Sequence, residues 1–262
     1  MRATHPVTVT PLGSDHTVED HVVVEEPLEM RIGGRALAVT MRTPGHDEEL
    51  VAGFLYTEGV IDGADDIQAM AKVQDLSAPK DNTLDVLLAS GIRSDEGRFA
   101  SAQRAFYASS SCGVCGKATI DSVLRGAPPL TNPRQADPEL LMALPAKMRK
   151  AQEAFERTGG LHAAALFTFD GELEVLREDV GRHNAVDKVL GWRLLRDEAP
   201  VDDRILVVSG RAGFELVQKA LVARVPVMAA VGAPSSLSVQ LATQGGMQLI
   251  GFLSATRGNW YR

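Results

Sequence analysis

Cys112 and Cys115 are the only cysteines in this 262-residue chain, and they stand close together in Ser111-Cys112-Gly113-Val114-Cys115-Gly116-Lys117. A C-x-x-C pair can supply half of a zinc site, a dithiol–disulfide couple, or a nucleophile with a neighbouring thiol. A structural zinc needs four ligands, and His46, His162 and His183 would have to complete the set from distant positions. A thioredoxin-like couple usually sits in an aromatic-lined setting between a strand and a helix, whereas small residues surround this pair. Gly113 and Gly116 let the chain bend. Lys117, with a helix expected from Ala118, would lower a thiol pKa. The spacing therefore favours a thiolate on a loop that reaches out, over two incidental surface thiols.

A second set of residues suits an anion. Glu178-Asp179-Val180-Gly181-Arg182-His183-Asn184 and Ser209-Gly210-Arg211-Ala212-Gly213 each stand between an expected strand and an expected helix. Gly232-Ala233-Pro234-Ser235-Ser236 forms a third junction of the same type. Ligands of open α/β sheets bind where such loops gather, at the carboxyl ends of strands. Glycine loops that open helices offer backbone amides to phosphates, and an arginine adds a bidentate donor. His183 is a candidate ligand contact. His162 invites comparison with zinc deaminases, which carry H-x-E before a later P-C-x-x-C. Here Ala164 stands in place of the acid and the C-x-x-C comes first. Zinc deamination is therefore not expected, and His162 reads as a strand-edge histidine.

These residues need elements to hold them. Residues 22–32 read as a strand, Gly33-Gly34 as a hairpin turn and 35–42 as the return strand. Residues 47–58 read as an amphipathic helix with acids in its first turn, and 60–82 as a surface helix and loop. Strands are expected at 83–89 and 104–108, and a short helix at 118–125. Residues 139–158 read as two helices, the second starting at Pro145. Beyond Gly160, strands at 162–169, 173–178, 204–209, 225–231 and 247–253 alternate with helices at 183–195, 214–223 and 236–243. Apolar strand runs between helices indicate a parallel or mixed sheet covered on both faces.

The boundary between two domains falls near the cysteine loop, giving a β-rich 1–108 and an α/β 109–262. Composition agrees with a globular protein: 45% hydrophobic and 23% charged, with 27 Lys and Arg against 34 Asp and Glu. The net charge of -7 argues against non-specific nucleic-acid binding and against an anionic membrane surface. Apolar runs such as 225–233 fall short of the ~20 residues that span a bilayer. The first six residues carry no apolar run of the secretory kind, so a cytoplasmic protein is expected.

Five blocks together resemble one family. They are Arg42-Thr43-Pro44-Gly45-His46-Asp47-Glu48-Glu49-Leu50-Val51-Ala52-Gly53-Phe54-Leu55, Ser111–Gly116, Thr158-Gly159-Gly160-Leu161-His162, Glu178–Lys188, and Ser209-Gly210-Arg211. In order and length they are similar to the FdhD family of sulfur carriers required for formate dehydrogenase activity, from about residue 20 to the end. The resemblance implies a cytoplasmic, generally dimeric sulfurtransferase. Such a protein takes sulfur from a cysteine desulfurase as a persulfide. It passes the sulfur to the molybdenum cofactor, Mo-bis(molybdopterin guanine dinucleotide), before insertion into formate dehydrogenase.

The resemblance also implies an α/β fold, α+β overall. A smaller N-terminal β-rich domain precedes a C-terminal cytidine-deaminase-like three-layer domain. Carried over by position, Cys112 matches the persulfide-bearing residue and Cys115 its companion. The cofactor segment falls on Phe252, Leu253, Ser254, Ala255, Thr256 and Arg257, with Ser254 where relatives often carry a basic residue. The acceptor's two pyrophosphates suit Arg182, Arg211 and Arg257, with His183, Ser209 and Gly210 beside them. Lys188 and Lys219 are expected on solvated helix faces, and no permanently bound metal is expected. Two other readings stay open: a non-catalytic cofactor chaperone that binds a guanine nucleotide, and a thiol–disulfide oxidoreductase.

Overall fold

The computed structural model describes residues 3–73, 82–90, 97–100, 102–103 and 126–262. Cys112 and Cys115, the strand expected at 104–108 and the helix expected at 118–125 lie outside the described residues.

A hairpin of β1 (Thr4–Val9) and β2 (Val18–Val23) comes first. The run expected as one strand at 22–32 is divided. β2 ends at Val23, and β3 (Glu26–Ile32) joins a different sheet, with Pro27 near its start, where a missing amide is tolerated. β3 pairs antiparallel with β4 (Arg35–Arg42) through the expected turn. Gly33 and Gly34 both take positive φ, 57° and 82°, which side chains resist.

That sheet has the order β4-β3-β6-β5, with β5 at Ile67–Lys72 and β6 at Thr83–Leu88. The segment expected as surface helix and loop at 60–82 thus contains a short 3₁₀ turn, Ala64–Asp66, and the edge strand β5. Only one side of β5 has a neighbour, so its residues are at most half-buried and its alternation is weak in the sequence.

α1 (Asp47–Thr57) was expected to be amphipathic, yet apart from Glu48 and Glu49 all its residues are buried. It lies between the four-stranded sheet and α4 (Arg182–Leu194), so it has no solvent face to keep polar.

The second sheet runs β12-β11-β10-β9-β7-β8. β7 (His162–Phe167) and β8 (Leu173–Asp179) are antiparallel. β9 (Ile205–Val208), β10 (Val227–Ala230) and β11 (Gln248–Gly251) are parallel to one another, and β12 (Asn259–Tyr261) closes the edge antiparallel. Alternate side chains face opposite layers. Ala164, Leu166, Leu206, Val208, Met228 and Leu249 pack towards α4, α5 (Phe214–Val222) and α6 (Ser236–Gly245). Ala165, Phe167, Ile205, Val207 and Val227 pack towards α2 (Pro138–Ala151). The result is the three-layer α/β arrangement expected, beside a β-rich N-terminal part. The core on the α4 side continues without a break into α1 and the first sheet.

The expected helix break at Pro145 is not there. α2 passes through Pro145, and the break comes at Gln152, before α3 (Glu153–Thr158). Leu141, Leu144 and Met148 anchor α2 in the core on both sides of the proline, which offsets the ~3 kcal/mol cost of an interior proline. Asp137 caps the helix, its side chain accepting from the Glu139 and Leu140 amides.

Candidate functional site

The strand register brings the sequence-singled junctions to one end of the six-stranded sheet. Val208 is level with Ala230 and Ala164, and His162 is level with Asp179. The carboxyl ends of β8 to β11 and the amino end of β7 therefore form one edge. Backbone hydrogen bonds join its loops in order. The Ser209 amide donates to the Ala163 carbonyl at 2.9 Å, Gly232 to Gly210 at 2.9 Å, and Phe252 to Gly232 at 3.1 Å. The Ser209 hydroxyl accepts from the Ala163 amide. A Cβ on Gly232 would stand 2.8 Å from the Gly210 carbonyl and 2.9 Å from the Arg211 Cα. Glycine is required there for the two loops to touch.

Three helices begin at this edge. α6 has its own cap, Ser235, whose hydroxyl accepts from the Ser238 amide. α4 and α5 are preceded by Gly181 and Gly213, which have no side chain to cap with. Their first-turn amides and positive dipole ends therefore face the edge without a side-chain acceptor at the cap, which favours an anion. Among the described residues, Arg182 is half-buried and Arg211 exposed, and neither is ion-paired. His183 Nε2 lies 2.7 Å from Glu215 Oε2. His162 is pushed towards its neutral form by burial, and further by Arg182 and His183, against an opposing effect of Asp179.

The segment after β11 completes the edge. Phe252 is exposed, with φ 53°. Leu253 is fully buried in the α2-side core, so only its backbone could meet a ligand. Ser254 is tied within its own turn: its amide donates to the Arg257 carbonyl at 2.8 Å and its hydroxyl accepts from the Thr256 amide. Ala255, Thr256 and Arg257 are exposed, and the Arg257 guanidinium stands 5.8 Å from the Phe252 ring centroid. Next to the edge, on the α2 side, opens a cavity of about 570 Å³ whose lining includes Met148, Arg149, Phe155, His162 and Ser209.

Two expectations fail. Lys188 and Lys219 are not on solvated faces; both are buried. Lys188 Nζ is 2.7 Å from Asp179 and donates to the Thr43 carbonyl at 2.9 Å. Asp179 also accepts from the amides of Thr43 and Gly181 and from Asn184 Nδ2. Lys219 Nζ reaches Glu58, Asp187 and Thr57 at 2.9–3.0 Å. Burial alone would favour its neutral amine, but Asp187 and Glu58 outweigh that and keep it protonated. Both lysines sit among apolar helix positions, and their acceptors come from distant segments, so local pattern could not reveal them.

The same holds for the block around Arg42. Arg42 is fully buried, and its Nε and Nη2 reach the two oxygens of Asp47 at 2.9 and 3.1 Å. Glu49 accepts two bonds from Arg177, at 2.6 and 2.8 Å. Burial raises the carboxyl, but Arg177 and His46 together hold it down at about 2. The Arg177 pair fastens α1 to β8, and the Thr43 hydroxyl, accepting from the Val180 amide, ties the end of β4 to the loop after β8.

Fold and edge together define a three-layer α/β protein whose strand ends gather two glycine-preceded helix starts and two arginines. The Mycolicibacterium paratuberculosis protein named sulfur carrier protein FdhD is 47% identical, across 100% of this chain and 97% of its own. The Streptomyces avermitilis protein of the same name is 49% identical, across 95% of this chain and 89% of its own. A solved structure described as a formate dehydrogenase accessory protein from Desulfotalea psychrophila superposes with a TM-score of 0.74 at 24% identity, covering 99% of this chain and 96% of that one. The FdhD/NarQ family model matches residues 23–262, and the chain belongs to that family. Among the described residues no helix is long and apolar enough to cross a membrane, and no cluster of side chains could hold a metal ion.

Proposed function

We propose that this chain is a sulfur carrier in formate dehydrogenase maturation, working in the cytoplasm as a homodimer. The observation that carries the reading is the near-complete alignment, at 47–49% identity, with relatives named sulfur carriers. In the first step the Cys112 thiolate attacks the terminal sulfur of a cysteine desulfurase persulfide. The donor S–S bond breaks, the desulfurase cysteine leaves as thiolate, and Cys112 carries the persulfide. In the second, the Cys115 thiolate attacks the inner sulfur of Cys112. Hydrosulfide leaves towards the acceptor, a disulfide forms, and a dithiol reductant restores both thiols.

The acceptor is Mo-bis(molybdopterin guanine dinucleotide), as substrate. Its pyrophosphates suit Arg182, Arg211, Arg257 and the amides opening α4 and α5, beside His183, Ser209, Gly210 and residues 252–257.

Mass spectrometry after incubation with desulfurase and cysteine tests the first step. Native protein should gain the mass of one sulfur atom, and Cys112→Ala should not gain it and should not mature formate dehydrogenase. Full maturation by Cys112→Ala overturns the reading. A second reading, a non-catalytic guanine-nucleotide chaperone, is favoured by the starts of α4 and α5, which have no side-chain cap and stand beside Arg182 and Arg211. It expects maturation to survive loss of both thiols and to fail in Arg211→Ala or Arg182→Ala.

A further inference from the structure

Glu215 puts a carboxylate at an edge otherwise suited to anions. It stands in the first turn of α5, while its partner His183 stands in the first turn of α4. The pair therefore joins the two helix ends that have no side-chain cap. The hydrogen bond from His183 holds the Glu215 carboxyl below its usual range; burial opposes this, and Lys219 and Arg182 add to it. A negative charge here would repel a diphosphate unless it served another group. With Nε2 given to Glu215, the only ring nitrogen of His183 left for a ligand is Nδ1. A carboxylate that binds one imidazole nitrogen fixes the ring's orientation and raises the basicity of the other.

We propose that Glu215 is a positioning residue of the acceptor site, holding His183 by Nε2 so that Nδ1 takes a proton from solvent and donates it in a hydrogen bond to a diphosphate oxygen. The inference rests on the reading of this edge as the acceptor site. The imidazole then lies between two anions, Glu215 on α5 and the ligand. Arg182 on the same helix, His162 on β7 with Asp179 behind it on β8, and Lys219 on α5 set the surrounding charge. Glu215 touches no substrate; it acts through His183.

The test is calorimetric titration of the full chain with GDP, at neutral pH, in two buffers of different ionisation heat. Native protein should bind GDP and take up a proton. His183→Asn and Glu215→Ala should lose the proton uptake and bind about three- to tenfold more weakly. Glu215→Gln, whose amide oxygen still accepts from Nε2, should retain more affinity than Glu215→Ala and guards against misfolding of the smaller variant. GDP binding with native affinity and proton uptake in both Glu215 variants overturns the inference alone. No GDP binding by native protein overturns the acceptor-site reading, and this role with it.

Discussion

At the scale of single residues, charge in this protein is buried in matched sets. Asp179 has no solvent contact, and its cationic partner is the equally buried Lys188. Replacing Lys188 by Met leaves that carboxylate without its counter-ion, although the Thr43 and Gly181 amides remain. Removing one partner of a buried pair costs about 3–5 kcal/mol. Lys188→Met should lower the urea unfolding free energy by that amount, and Asp179→Asn in the same chain should recover part of it. A loss no larger than that of a surface lysine variant would show that the pair does not hold the loop. The motif containing both residues was legible as a strand–helix junction. The structural role of its Asp and Lys was not legible, because Thr43 and Met41, which complete the network, lie far away in sequence.

At the scale of elements, the crossing of α1 and α4 depends on two missing side chains. A Cβ on Gly53 would fall 1.9 Å from the Asp187 carbonyl, and one on Gly191 would fall 1.9 Å from the Glu49 carbonyl. Both contacts are to backbone and cannot be relieved by rotating a side chain. Gly191→Ala should destabilise by about 3 kcal/mol or more, read as a lower urea midpoint. Gly63→Ala, in open space at negative φ, should change stability little. Sequence periodicity located both helices to within a residue or so, since 47–58 and 183–195 were expected. It could not show that the two touch, and it gave α1 a polar face that the contact removes. The inner strands of the six-stranded sheet, β7, β9, β10 and β11, were legible because they are buried on both faces. β5 and β12 were missed because each is an edge strand, with one neighbour and a weak apolar pattern.

For the whole molecule, acid should act through the ion pairs between its two sheet systems. Glu49 on α1 meets Arg177 on β8, and its carboxyl sits at about 2 against an ordinary 4.5. A carboxyl depressed on folding contributes stability that is fully present above its unfolded pKa and is lost as pH falls towards its folded one. The unfolding midpoint should therefore be level above pH 4.5 and fall between 4.5 and 2. Allowing for partial solvent access, this pair accounts for about 1–2 kcal/mol of the decline. Glu49→Gln should be less stable than native near neutrality and flatter below pH 4.5. An equal slope in both proteins would assign the acid sensitivity to other carboxyls.

The contact of Gly53 with Asp187, and of Gly191 with Glu49, has a consequence for inheritance. Neither segment can drift alone, because any side chain gained on one helix must be answered by room on the other, more than a hundred positions along the chain. A hybrid that joins the front of this protein to the rear of a distant cousin should fold only where both parents kept the pair of bare crossing points, which makes such hybrids a direct way to learn how long the two parts have travelled together.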